Sequence, residues 1–177
     1  MIRDQLFLFP ELDPFKTIVK NIDYVDLSTI QDIGNSRKNS LENLPRGKYL
    51  LFQTGGFNKF VPDLGKVFPY IQNQETKNIP SIGIRNSYCN SVLHEEGIGY
   101  SIDYHRVTAL AFIVNNNSTK QIWVDHKNGN RFDFRVSNLR WVTPSQNRLG
   151  TIKEAGKHFI GASSIGKLGK YNGKYNG

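Results

Sequence analysis

Asp125 and His126 stand side by side in the chain, and two short amides follow at Asn138 and Asn147, each beside an apolar run. A carboxylate and an amide supply hard oxygen donors. A neutral imidazole, with an ordinary pKa of about 6.5, can take a proton from water near neutral pH. The elements around them decide whether these groups can meet. QIWVDH (121–126) is a strand by composition, NGN (128–130) is a turn signal, and LRWVT (139–143) is a second strand. Thr143 followed by Pro144 is a helix start, a capping hydroxyl before a proline in the first turn, and Gly150 closes the short helix 145–150. If that helix folds back over the hairpin, the Asn147 amide oxygen approaches the Asp125 carboxylate. Two hard donors would then converge, and with water and phosphate oxygens they suit Mg²⁺ or Mn²⁺. Neighbours on a strand face opposite ways, so Asp125 and His126 diverge unless the strand ends irregularly between them. Such an ending would let His126 aim at a water on the far side of a phosphate. Lys127, Arg131 and Arg135, in the loop 127–138, suit phosphate contacts.

Upstream, IGYSIDYH (98–105) reads as a strand running into a turn, with Asp103 as a helix cap. HRVTALAFIV (105–114) places Val107, Leu110, Ala111 and Val114 on one helical face. KYLLFQT (48–54) is a strand ended by a turn at Gly55-Gly56. FNKFV (57–61) and KVFPYI (66–71) read as further short strands, and SIGIRNSY (81–88) alternates weakly. FKTIVKNIDYVDL (15–27) suits helix or strand alike. Trp123 and Trp141 are expected in the core, His105 is expected to pack or hydrogen-bond against the hairpin, and Cys89 is expected to act as a small buried apolar group.

The 177 residues, 38% of them hydrophobic, suffice for one domain with a small appendage. One cysteine excludes an internal disulfide and a zinc site built on paired cysteines. No apolar run approaches the roughly 20 residues of a membrane span, and the N-terminal patch makes a poor signal peptide, so a soluble, intracellular and cytoplasmic protein is expected. The net charge of +8 is unevenly placed. Residues 1–126 carry 13 basic and 13 acidic residues, whereas residues 127–177 carry 10 basic residues against Asp133 and Glu154 alone. Such asymmetry points to a polyanion, most often nucleic acid.

In order and spacing, DH-x-N-G-N followed by S-N-L-R-W-V-T-P-S-x-N resembles the HNH endonuclease family in its homing-endonuclease-like branch, and HRVTALAF (105–112) resembles the helix that precedes the motif there. The resemblance covers residues 98–150. It implies an α+β fold: a ββα-metal finger in the C-terminal half, without structural zinc, beside a mixed, strand-rich N-terminal region. It implies His126 as the general base, Asp125 and Asn147 as ligands of one divalent metal, Mg or Mn, and Asn138 as a brace for the catalytic loop. The reaction implied is hydrolysis of double-stranded DNA to 5′-phosphate and 3′-hydroxyl ends, in a phage or mobile-element setting. The division expected is residues 1–97 of unassigned role with DNA recognition open to them, a nuclease core at 98–150, and a basic tail at 151–177. DNA contacts are expected from Lys127, Arg131, Arg135, Arg140, Arg148, Lys153 and Lys157. The alternatives are a restriction enzyme of the same class, or a DNA-binding protein on a decayed finger. Monomer and homodimer both stay open.

Overall fold

The computed structural model describes residues 17–31 and 41–148. The basic tail, with Lys153 and Lys157, lies outside them. Two three-stranded antiparallel sheets and a two-stranded hairpin surround one helix. The first sheet joins β1 (Tyr24–Asp26), β2 (Tyr49–Gly56) and β3 (Phe68–Asn73) in that order. The second joins β4 (Gly83–Arg85), β5 (Tyr88–Glu95) and β6 (Ile98–Asp103), and β6 runs directly into helix α1 (Tyr104–Phe112). The hairpin consists of β7 (Trp123–His126) and β8 (Leu139–Val142), and residues 144–148 begin a second helix, α2. The mixture is α+β and rich in strands, as expected.

Alternation decides the faces of the first sheet. Leu51 and Ile71 point into the core and are fully buried. On the other face Tyr24, Phe52 and Tyr70 are cross-strand neighbours. The Phe52 ring lies 5.5 Å from Tyr24 and 4.9 Å, stacked, from Tyr70. Such aromatic pairs each stabilise a sheet by roughly 0.2–1 kcal/mol. Gly55 and Gly56 do not end the strand as expected. They carry β2 through a register shift, Gly55 with φ +111°, and a Cβ on Gly56 would sit 2.5 Å from Tyr70 Cβ. FNKFV (57–61) forms no strand. Asn58, fully buried, instead binds Phe60 N–H through its oxygen at 2.9 Å and donates to the Phe132 carbonyl at 2.6 Å.

α1 packs against β2, β5 and β8, so a single core joins both sheets to the hairpin. Val107 and Ala111 face that core as the periodicity predicts, whereas Val114 lies past the end of the helix. Asp103 occupies the N-cap position but makes no side-chain cap bond; its carboxylate pairs with Arg85 at 2.7 Å. The undecided segment 15–27 is strand and extended chain where it is described. Val19 bridges Ile113, Lys20 N–H donates to the Phe112 carbonyl, and Thr17 Oγ1 donates to the Leu139 carbonyl at 3.0 Å. The expected division at residue 97 falls in the turn of the β5–β6 hairpin, whose strands pair from Asn90–Asp103 to Glu95–Ile98. No helix among the described residues is long and apolar enough to cross a membrane.

Candidate active site

The β7–β8 hairpin is in register with Trp123 opposite Val142, Val124 opposite Trp141, Asp125 opposite Arg140 and His126 opposite Leu139. Alternation therefore sends Val124 and His126 to the core and Trp123 and Asp125 to the other face. Trp141 is buried, with its indole N–H on the Ile113 carbonyl. Trp123 is half exposed, which corrects its expected place in the core: the face it shares with Asp125 is the outer one.

The loop between the strands is held by its own side chains. Gly129, with φ +72°, lets the chain turn so that its N–H reaches the His126 carbonyl at 2.8 Å. Asn138 is buried, and both halves of its amide are used. Its oxygen accepts from Asn128 N–H at 3.1 Å, while its NH₂ donates to Asn128 Oδ1 at 2.9 Å and to the Asp133 carbonyl at 2.7 Å. Its backbone carbonyl accepts from Lys127 N–H. Asp133, 1% exposed, takes Arg135 Nε at 2.8 Å and Nη2 at 2.6 Å and the Asn128 amide at 2.9 Å. Charge pairing and hydrogen bonding offset the burial of that carboxylate. These bonds pull into one network a loop that begins at the residue after His126.

His126 is 4% exposed, and its Nε2 has no hydrogen-bond partner among the described residues. Burial pulls its pKa down to about 3, with the neighbouring His105 adding to the effect and Asp125 and Asp133 opposing it. The ring is therefore neutral at physiological pH. Two further rings lie against it, His105 from the first turn of α1 at 5.4 Å and Tyr88 from β5 at 5.9 Å. Tyr88 and His105 stack on each other at 4.5 Å, and the Arg131 guanidinium covers Tyr88 at 5.1 Å.

Asp125 is gripped by its cross-strand neighbour. Arg140 Nη2 and Nε reach Asp125 Oδ2 at 2.6 and 2.8 Å. Asn147 sits one turn into α2, half-buried, its N–H on the Thr143 carbonyl at 2.9 Å. The start of α2 is fixed by a reciprocal pair: Gln146 N–H donates to Thr143 Oγ1 at 3.2 Å, and Thr143 N–H donates to Gln146 Oε1 at 2.8 Å. Thr143 and Pro144 announce this helix in the sequence, and Gln146, three residues after the cap, is a second signal of the same start.

Asp125, near the end of β7, and Asn147, one turn into α2, each carry a side-chain oxygen of the kind a hard cation takes. No group of three or more His, Cys, Asp or Glu that could hold a metal occurs among the described residues. A carboxylate and an amide are hard oxygen donors, the type that suits Mg²⁺ or Mn²⁺, which keep water and substrate phosphate in most positions.

The expected phosphate-binding cations are engaged to different degrees. Lys127 Nζ donates to the Ser137 carbonyl, Arg135 is on Asp133, Arg140 is on Asp125, and Arg131 lies over Tyr88. Arg148 is exposed on α2. The residues that sequence reasoning misses are Tyr88, Asn128 and Asp133. Asp133-x-Arg135 beside an Asn-Gly-Asn turn can be read as a self-paired loop. Tyr88 gives no signal, because only the tertiary fold brings β5 to His126.

Residues 119–149 match the HNH endonuclease family. The match spans the β7–β8 hairpin and the start of α2. Two relatives come from Acanthamoeba polyphaga mimivirus. The uncharacterized HNH endonuclease L247 is 35% identical over 94 residues, which cover 52% of this chain and 23% of that protein. The uncharacterized HNH endonuclease L245 is 28% identical over 119 residues, covering 67% and 33%. The matches thus span a quarter to a third of these relatives. A solved structure describing DNA binding and cleavage by the HNH homing endonuclease I-HmuI aligns with a TM-score of 0.51 at 20% identity, over 83% of this chain and 67% of that one. That likeness concerns the fold, and it extends well beyond the finger into the strand-rich N-terminal half.

Proposed function

We propose that the chain is a metal-dependent DNA endonuclease of the homing type, encoded by a virus or mobile element, with its chemistry at the HNH finger. The observation that carries this reading is His126. A buried, neutral imidazole with an unpartnered Nε2 ends β7 beside a carboxylate, at the head of a loop braced by Asn138. An orphaned buried nitrogen is costly, and a substrate water is a fitting partner for it. The same burial makes the ring a weak base in the free protein, and a phosphate anion brought close to it favours the protonated form.

Asp125 and Asn147 are the residues that would hold one Mg²⁺ or Mn²⁺ ion. When bound, that ion supplies positive charge against a phosphate oxygen and the leaving oxygen. His126 Nε2 accepts the proton of the water whose oxygen attacks phosphorus. The bond from phosphorus to the 3′ oxygen breaks, and that oxygen takes a proton from a solvent water, leaving a 5′-phosphate and a 3′-hydroxyl. Asn138 keeps the loop from carrying His126 away, and Arg140 aims the Asp125 carboxylate through its two bonds to Oδ2. Arg131, Arg148 and the basic tail bind phosphates along the duplex.

Incubation with supercoiled plasmid and with viral and host DNA tests this reading. Nicking or linearisation is expected with Mg²⁺ or Mn²⁺, none with EDTA, and a loss of about 10²–10⁴-fold in His126→Ala with DNA binding retained. Equal cleavage by the variant would refute the assignment of the base.

A further inference from the structure

The rings that cover His126 are more than filling. Three polar aromatic rings meet at one point, supplied by three separate elements: His126 from the end of β7, His105 from the start of α1 and Tyr88 from the start of β5. His126 is buried, yet the two rings that bury it are themselves only half-buried. Both rings border the imidazole and are themselves partly open to solvent. Their stack is tight, with centroids 4.5 Å apart and planes 24° from parallel, and the His126 ring leans on both at 5.4 and 5.9 Å. The loop network around Asn138 fixes the backbone after His126, but its bonds to Asn128 and Asp133 do not reach the imidazole itself. The ring contacts, by contrast, lie on the imidazole itself.

We propose that Tyr88 and His105 are positioning residues, a ring clamp that sets the rotamer of His126 so that Nε2 faces the attacked phosphate. This rests on the endonuclease reading for its consequence, but not for the clamp itself. Tyr88 thereby gives the N-terminal half a part in the chemistry, and Arg131, seated on the outer face of Tyr88, links the clamp to the phosphate-binding loop. At Tyr88 the clamp acts through ring packing, so a phenylalanine should serve there.

The test uses the full chain, with plasmid DNA and Mg²⁺ for kinetics and the metal-free, DNA-free protein for nitrogen-15 NMR of the His126 ring. Tyr88→Leu, Tyr88→Ala and His105→Ala are expected to lower kcat by about 10–100-fold with KM little changed, because a misplaced base is lost from the chemical step and not from DNA binding. Tyr88→Phe is expected to retain kcat within about three-fold, since it keeps the ring that packs on His126 and His105. The His126 ring resonances should move or broaden in the leucine and alanine variants and stay in place in Tyr88→Phe, while the amide spectrum reports that each variant is folded. Wild-type kcat and unmoved His126 resonances in Tyr88→Leu and His105→Ala would overturn the clamp. So would a Tyr88→Phe variant as impaired as Tyr88→Ala. If the wild-type protein cleaves no DNA, the endonuclease reading fails, and the ring resonances alone still decide the clamp.

Discussion

The burial of His126 has a consequence for stability. Its pKa is near 6.5 in an unfolded chain and is pulled to about 3 by burial in the folded one. Between those values the unfolded state binds the extra proton. Stability therefore rises with pH across that window and is lost as the solution is acidified from about pH 6.5 towards 3. For this one group the slope is up to about 1.4 kcal/mol per pH unit. Urea unfolding between pH 4 and 7 should show that fall in the wild type and a shallower one in His126→Phe. Identical slopes would mean that the histidine is not buried as a neutral ring in solution. Asp125, facing the other way, is held by Arg140 whatever happens to His126, so the two neighbours can be altered separately.

At the scale of elements, the finger loop depends on amide chemistry more than on apolar packing. Asn138 answers three groups at once: the Asn128 N–H, the Asn128 side-chain oxygen and the Asp133 carbonyl. Asn138→Asp keeps the acceptor and turns the donor into a carboxylate oxygen aimed at two other oxygens. Chemical denaturation should show a loss of about 2 kcal/mol or more. A loss below about 0.5 kcal/mol, typical of an uncoupled surface site, would show that the network forms without it. The aromatic content of the same loop has a packing explanation. Phe134, fully buried, stacks on Tyr104 at 4.6 Å and meets Phe68 at 5.1 Å, while Phe132 meets Phe60 at 5.7 Å. Both faces of the loop are thereby anchored, one by hydrogen bonds and one by rings.

Across the whole molecule, the finger and the strand-rich N-terminal half share one core. Phe134 reaches β3, Asn58 reaches Phe132, and Tyr49 OH reaches the His94 carbonyl between the two sheets at 3.1 Å. The charge is organised differently from the core, since the whole excess of +8 lies after His126. Residues 151–177 contribute Lys153, Lys157, Lys167, Lys170 and Lys174 to it. Removing them should weaken DNA binding and flatten its salt dependence. The slope of log K against log salt should shrink by about 0.9 for every phosphate the tail had neutralised. Titration of the truncated chain at several salt concentrations checks this, and an unchanged slope would mean that the tail touches no phosphates.

Local signals wrote the finger into the sequence. Alternation gave β7 and β8, Asn-Gly-Asn gave the turn, Thr143-Pro144 gave the start of α2, and the spacing of Asp125, His126, Asn138 and Asn147 gave the motif. These depend on neighbours within a few residues or on fixed offsets, which a linear chain displays. The chain could not display what depends on distant elements meeting. Gly55-Gly56 reads as a turn, but Tyr70 on the next strand makes it a bulge. Trp123 reads as core, but the register opposite Val142 sends it outward. Tyr88 lies 38 positions before His126 and shares no pattern with it. Only the packing of β5 and α1 against the hairpin sets the two rings over the imidazole, removes it from water and keeps it neutral.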